Sequence, residues 1–163
     1  MKVSNMTMSK FVFFWNGPFS QWAKSKFVVD GVEFNTCEQY MMYKKAMLFN
    51  DTDTADAIMK TTDPRTQKSL GRQVKNFDDA VWMEHAFDYV VAGNRAKFSQ
   101  NSQLNKALAE TKGKVLVEAS PYDKRWGIGM MEGDAGIEDP KNWRGENLLG
   151  YAITQVRLEL FGE

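Results

Sequence analysis

The chain has 163 residues, 43% of them apolar and 13% aromatic, and its 21 basic residues balance its 21 acidic ones. That length suits one packed core and that composition excludes a disordered or low-complexity chain, while the cancelled charge excludes a whole-molecule field drawing it to nucleic acid or an anionic membrane. One cysteine, Cys37, and one histidine, His85, exclude an intrachain disulfide and a Cys/His zinc centre, so no metal is expected and a reducing, cytoplasmic compartment is the default.

The first residues, MKVSNMTMSK, lack the small-residue cleavage site of an export signal, and the apolar run Phe11 to Trp15 is too short to span a membrane. Phe11 to Trp15 and Lys26 to Val29 are β-prone runs flanking the turn-rich Asn16-Gly17-Pro18, and Asp30-Gly31 follows. They predict a small sheet or an extended entry segment. Thr36 with Gln39 three residues on is a capping-box pattern, and Cys37, Tyr40, Met41, Lys44, Met47 and Leu48 then recur at helical spacing. The same periodicity sets Glu38, Met42 and Lys45 on the adjoining face.

A short helix is predicted over Thr54 to Lys60, and Asp63-Pro64 reads as an N-cap with proline at the first helical position of another, leading to Gly71. Asp78 caps the longest helix, about Asp79 to Phe98, with Trp82, Ala86, Tyr89, Gly93 and Ala96 on one stripe. Ser102 or Asn101 starts a shorter helix ending near Glu110, and Lys114 to Glu118 is a strand. A long polar loop, Ser120 to Glu146, precedes a terminal helix that Asn147 can cap and whose Leu149, Ile153, Val156 and Leu160 pack inward. The sum is a mainly α, single compact helical domain over residues 1–163, with a few short β-strands.

Val117 to Tyr151 mixes Glu118, Asp123, Asp134, Glu138, Asp139 and Glu146 with Trp126, Trp143 and a series of glycines, which reads as the composition of a site and not of a core. Glu38, Glu118 and Asp123 are the carboxylates available for acid–base work. The rings of Trp126 and Trp143 could hold a planar group, and Lys45, Arg72 and Lys97 could meet phosphate oxygens. Each has a plainer alternative: a first-turn charge for Glu38, a side-chain turn for Asp123, a cap for Asn147, a lid over the core for the tryptophans. His85 reads as a core-edge residue of the long helix. Gly127-x-Gly129 lacks the strand, third glycine and helix of a dinucleotide fingerprint. The residues alone predict a polar-ligand site and leave the reaction open.

Phe14-Trp15 with Pro18-Phe19-Ser20, Glu38-Gln39-Tyr40 leading to Lys45-Ala46, Leu70-Gly71-Arg72, Lys97-Phe98, Val117-Glu118-Ala119-Ser120 with Asp123-x-x-Trp126-Gly127-x-Gly129, and Trp143-x-Gly145-x-Asn147-x-Leu149-Gly150 with Val156-Arg157 together resemble the NADAR superfamily, also called the YbiA-like family, along nearly the whole chain. The resemblance implies a helical domain that hydrolyses N-glycosidic bonds. Its substrates would be a ribosylamino-pyrimidine phosphate near the riboflavin pathway or ADP-ribosylated guanine in DNA, with no cofactor. The alternative is a non-catalytic binding module for NAD-derived or ADP-ribose nucleotides. It implies Glu38 as the first catalytic carboxylate and Asp123 as the second, with Lys45, Arg72, Glu118, Trp126, Trp143 and Asn147 binding substrate. The expected partner is thus a small nucleotide-like molecule or an ADP-ribosylated nucleic acid, without a membrane, and the oligomeric state stays open. The acidic insert MMEGDAGIEDPKN, longer than in compact family members, would tune substrate choice.

Overall fold

The computed structural model describes residues 10–162, and its architecture is mainly α-helical with a few short β-strands. Of the N-terminal stretch read above as unlike an export signal, all but Lys10 lies outside the described residues. In chain order the elements are β1 (Phe11–Phe14), β2 (Phe27–Val29), β3 (Val32–Phe34), α1 (Cys37–Leu48), α2 (Thr52–Met59), α3 (Pro64–Gly71), α4 (Asp79–Gln100), α5 (Ser102–Ala109), β4 (Val115–Glu118), a 3-10 turn at Pro140–Asn142, and α6 (Leu148–Phe161). Contacts gather into two compact units. One is Gln21–Ser102, and the other joins the segment ending at Ser20 to the segment beginning at Gln103. Among the described residues no helix is long and apolar enough to cross a membrane.

In the unit Gln21–Ser102, helices start where a short polar side chain can accept the first unpaired N–H groups. The Thr36 hydroxyl accepts from Gln39 N at 3.0 Å, Asp51 from Thr54 N at 3.1 Å, Asp63 from Arg65 N at 3.2 Å and Asp78 from Ala80 N at 2.9 Å. Asp51 starts α2 two residues earlier than the predicted Thr54. The capping box at α1 is only half made, because Gln39 Oε1 accepts from Asn35 N at 2.8 Å and its Nε2 donates to Ile58 O at 3.1 Å. Gln67 completes this polar plug, accepting from the Thr36 hydroxyl at 2.7 Å and donating to Thr61 O at 2.9 Å. A buried polar network of this kind fixes how α1, α2 and α3 meet.

The strands β2 and β3 form an antiparallel hairpin across Asp30-Gly31, both with positive φ, the backbone that a two-residue turn of matching twist requires. Phe27, Phe34, Cys37, Tyr40 and Ala96 make the buried cluster beneath it. Gly93 on α4 is needed there, since a Cβ would lie 2.8 Å from the Tyr40 ring. Helix α1 packs against α2, α3, α4 and β3, so Glu38, Gln39 and Met42 are buried as well as Cys37, Tyr40 and Met41 of the predicted stripe, while Lys44 and Leu48 are half-buried and Met47 at the far end is exposed. His85, expected at a core edge, is exposed and stacks on Tyr89 at 6.0 Å.

In the other unit, β1 does not pair with β2. It lies parallel to β4, Phe11 opposite Val115 and Phe14 opposite Glu118. Among the described residues the second edge of β4 has no strand partner but is covered by side chains of and next to α6. Thr154 Oγ1 accepts from Leu116 N at 3.0 Å, Asn147 Nδ2 donates to Leu116 O at 3.1 Å, and Asn147 Oδ1 accepts from Glu118 N at 2.9 Å. Buried main-chain groups are thereby paired without a third strand. Such close approach needs glycine at 150, where a Cβ would collide with Leu116 O and the Asn147 amide.

Candidate functional site

Glu38 sits in the first turn of α1 with only 7% of its surface exposed. Its Oε1 accepts from the indole Nε1 of Trp22 at 3.0 Å, and its main-chain N donates to Gln21 O at 3.0 Å. Lys45 lies two turns on along the same helix, and long helical side chains lean toward the N-terminus, which turns its amine back toward Glu38. Its charge answers to its surroundings: burial pushes the amine below the ordinary lysine range, Glu38 and Asp79 oppose that, and Arg72 adds to it. The Lys45 amine also lies 4.5 Å above the Phe77 ring and 5.9 Å from that of Trp82. Arg72 caps the end of α3 and is exposed. Three of the expected site residues, Glu38, Lys45 and Arg72, are therefore brought into one electrostatic neighbourhood. A carboxylate, two cations and the partly open Trp22 ring can hold an anionic, hydroxyl-bearing ligand.

Lys97 acts electrostatically on Cys37, next to Glu38, but offers no surface to a ligand. It is wholly buried, 4.8 Å from the Phe98 ring, and burial pushes its amine down to about 8, so the reading of Lys97 as a phosphate contact is corrected. Trp22 was missed by the sequence reasoning. The available signal was an aromatic residue two positions after the Pro18-Phe19-Ser20 turn, where a core residue is not expected.

In the second unit Asp123 shapes a turn: its Oδ1 accepts from Arg125 N at 3.0 Å and from Trp126 N at 2.9 Å. Trp126 is half-buried and passes its main-chain O to Leu149 N at 3.1 Å. The segment 124–128 runs alongside 144–149 through main-chain pairs such as Arg144 N to Ile128 O at 2.8 Å and Asn147 N to Gly127 O at 3.0 Å. Gly145 permits this contact, since a Cβ there would strike Gly127 O. Glu118, at the end of β4, accepts through its main-chain O from Ile128 N at 3.0 Å. Glu118, Asp123, Trp126 and Asn147 are thus tied to one another through the main chain.

Two expectations change here. The segment 117–151 is not only site, because Ile128, Met130 and Ile137 build a buried cluster with Val117 and Ala119, and Trp143 packs on it. The Trp143 indole N–H is spent on Ile137 O at 2.7 Å and its ring meets Phe11 edge-on at 5.3 Å, the lid geometry and not an open platform. Asn147 precedes α6 with a left-handed backbone, φ 54°, and makes no side-chain cap; the cap reading is corrected to the β4 clamp described above. Its buried amide bonds β4 at both ends, through Oδ1 and Nδ2. A groove of about 440 Å³ in this unit is lined by Phe14, Trp15, Phe19, Ala119 and Met131 among others, and none of the eight expected site residues lines it. Among the described residues no group of three or more His, Cys, Asp or Glu side chains could hold a metal ion.

Comparison with known proteins agrees with this architecture. A family model described as the NADAR domain matches residues 13–161. The chain is 46% identical over 147 residues to N-glycosidase R617 of Acanthamoeba polyphaga mimivirus, covering 86% of each. It is 31% identical over 134 residues to the riboflavin biosynthesis protein PYRR, chloroplastic, of Zea mays, covering 78% of this chain and 20% of that protein. The NMR structure of the E. coli protein YbiA superposes with a TM-score of 0.76 at 27% identity, over 93% of this chain and 85% of that one.

Proposed function

The chain belongs to the NADAR domain family, and from that membership we propose that it is a hydrolase of N-glycosyl compounds, cleaving the bond between a ribose and a nitrogenous base. The ribose would carry phosphate or ADP-ribose. The observation that carries the proposal is the Glu38 carboxylate, nearly buried, gripped by the Trp22 N–H and coupled electrostatically to Lys45, on which Arg72 also acts. In the reaction the C1′–N bond breaks with its electrons leaving on the base, and positive charge spreads over C1′ and the ring oxygen. Glu38 steadies that charge and directs a water, whose oxygen bonds to C1′ as its proton passes to the carboxylate; the departing nitrogen takes up a proton from solvent, and Glu38 then returns its own to solvent. Lys45 and Arg72 hold phosphate oxygens. Asp123 is the second candidate for the catalytic carboxylate, and Trp143 and Asn147 support its loop.

A riboflavin-type substrate gains weight from the Zea mays relative, whose name places that protein in riboflavin biosynthesis. Incubating the purified chain with a ribosylamino-pyrimidine phosphate, and separately with an oligonucleotide bearing ADP-ribosylated guanine, tests both routes. Release of ribose 5-phosphate or of ADP-ribose identifies the substrate. Binding without release from either would sink the enzyme reading in favour of a nucleotide-binding module.

A further inference from the structure

Trp22 is 38% exposed, an unfavourable place for a large ring unless something holds it there. What holds it is its own N–H on Glu38. The turn that carries it is fixed through the preceding residue as well. Gln21 O accepts from Glu38 N at 3.0 Å, and Gln21 Oε1 accepts from Nδ2 of Asn94, a fully buried residue that also donates to Val90 O at 2.8 Å. Gln21 Nε2 points at Met41 Sδ, 3.9 Å away. Main chain and carboxylate of one residue are therefore gripped from outside the helix by two consecutive residues. A first-turn carboxylate needs no such grip to favour the helix dipole.

We propose that Trp22 is a positioning residue that keeps Glu38 ionised and oriented, so that Glu38 acts as the charged carboxylate that steadies the ribose cation and directs water, and not as the acid that protonates the leaving base. This rests on the reading of Glu38 as the catalytic carboxylate. The chemistry is one-sided: an N–H donor stabilises a carboxylate more than the neutral acid. The charged and titratable groups that interact with it include Cys37 and Lys45 on α1; Cys37 in turn faces Lys97 on α4, and Lys45 faces Asp79 on α4 and Arg72 at the end of α3. They stay the same when only the indole N–H is removed, so a difference on that change isolates Trp22.

Trp22→Phe removes the N–H and keeps a ring, and it has two readouts. The first needs no substrate. The Glu38 side-chain carboxyl carbon is followed by NMR against pH, its signal assigned by its disappearance in Glu38→Gln; its midpoint should move to higher pH in Trp22→Phe. Only folded molecules report that midpoint, so partial unfolding of the variant does not blur it. The second uses whichever of the two substrates above is turned over. There kcat should fall about tenfold or more, the scale of one charge-assisted hydrogen bond, with KM changed less than about twofold and the acid limb of the kcat profile shifted upward. In a Glu38→Gln background the same change should cost less than about twofold further, because the two residues act through one bond. An unmoved midpoint, or a rise in KM at constant kcat, overturns the positioning role. If instead Glu38→Gln keeps full turnover while the midpoint moves, the catalytic reading of Glu38 fails and the role of Trp22 falls with it.

Discussion

At the scale of single residues, the two candidate carboxylates differ in what they are already doing. Glu38→Gln keeps an acceptor for the Trp22 N–H but loses the charge, so turnover should fall by about 100-fold or more. Stability should change by only about 0.3 to 1 kcal/mol, the worth of a first-turn charge. Asp123→Asn keeps the Oδ1 acceptor of the turn to Arg125 and Trp126, so both fold and turnover should be nearly intact. Steady-state kinetics on the two variants decide; a larger loss in Asp123→Asn would move the catalytic role to it. Lys97 and Cys37 make a separate prediction about pH. Burial lowers Lys97 from 10.5 to about 8, so above pH 8 the folded chain has released a proton that the unfolded chain still holds, and stability rises with pH up to about 10.5. Burial raises Cys37 from 9.0 to about 11, and over that range the unfolded thiol ionises first, so stability falls. Denaturant midpoints should therefore rise between about pH 8 and 9 and level off beyond. Lys97→Met should abolish the rise, and a wild-type midpoint that drops over that interval relative to Lys97→Met would refute the assignment.

At the scale of elements, the clamp between β4 and α6 carries the clearest stability prediction. Asn147→Ala leaves Leu116 O and Glu118 N buried without their side-chain partner and places alanine at φ 54°, so it should cost about 2 to 3 kcal/mol or more. Asn147→Gly relieves the backbone but not the lost bonds, and should fall between wild type and alanine. Urea unfolding ranks the three, and hydrogen exchange at the Glu118 amide should quicken in both variants. Small changes in stability alongside lost substrate binding would return Asn147 to the base edge. Gly150→Ala should be as damaging, since the added methyl meets Leu116 O, which is backbone and cannot step aside.

At the scale of the whole molecule, balanced charge and an insert carrying Glu132, Asp134, Glu138 and Asp139 argue for a small substrate over a long nucleic acid. For a free ribosylamino phosphate, kcat/KM should fall less than about threefold between about 50 and 200 mM salt, whereas binding through six to ten DNA phosphates loses about 10³ to 10⁵ over that range. A steep salt dependence of turnover would favour the DNA adduct. Turnover should also survive dialysis against EDTA, because the proposed chemistry uses only side chains and water. Loss that a divalent ion restores on a non-phosphorylated analogue, where substrate phosphates cannot recruit the ion, would contradict it.

The sequence by itself determined what depends on neighbours a few residues away. The caps at Thr36, Asp63 and Asp78, the Asp30-Gly31 turn and the helical stripe through Trp82, Ala86 and Gly93 all follow from local backbone needs, and the structure realises each. It also put Glu38 and Lys45 on one face, because helical periodicity is local too. Only the tertiary structure decided what depends on which surface covers which. The strand β1 pairs with β4 from the far part of the chain, and no local pattern encodes a parallel partner. Asn147 turned from cap to clamp because β4 had an open edge to satisfy, and Ile128, Met130 and Trp143 turned from site to core because their loop folds back on that sheet. Lys97 looked like a surface cation until the packing of α4 against α1 buried it, and Trp22 looked like a stray aromatic until its turn met the first turn of α1. A charge or a ring has the same letter in either place; burial and hydrogen-bond geometry, which are long-range in sequence, assign its chemistry.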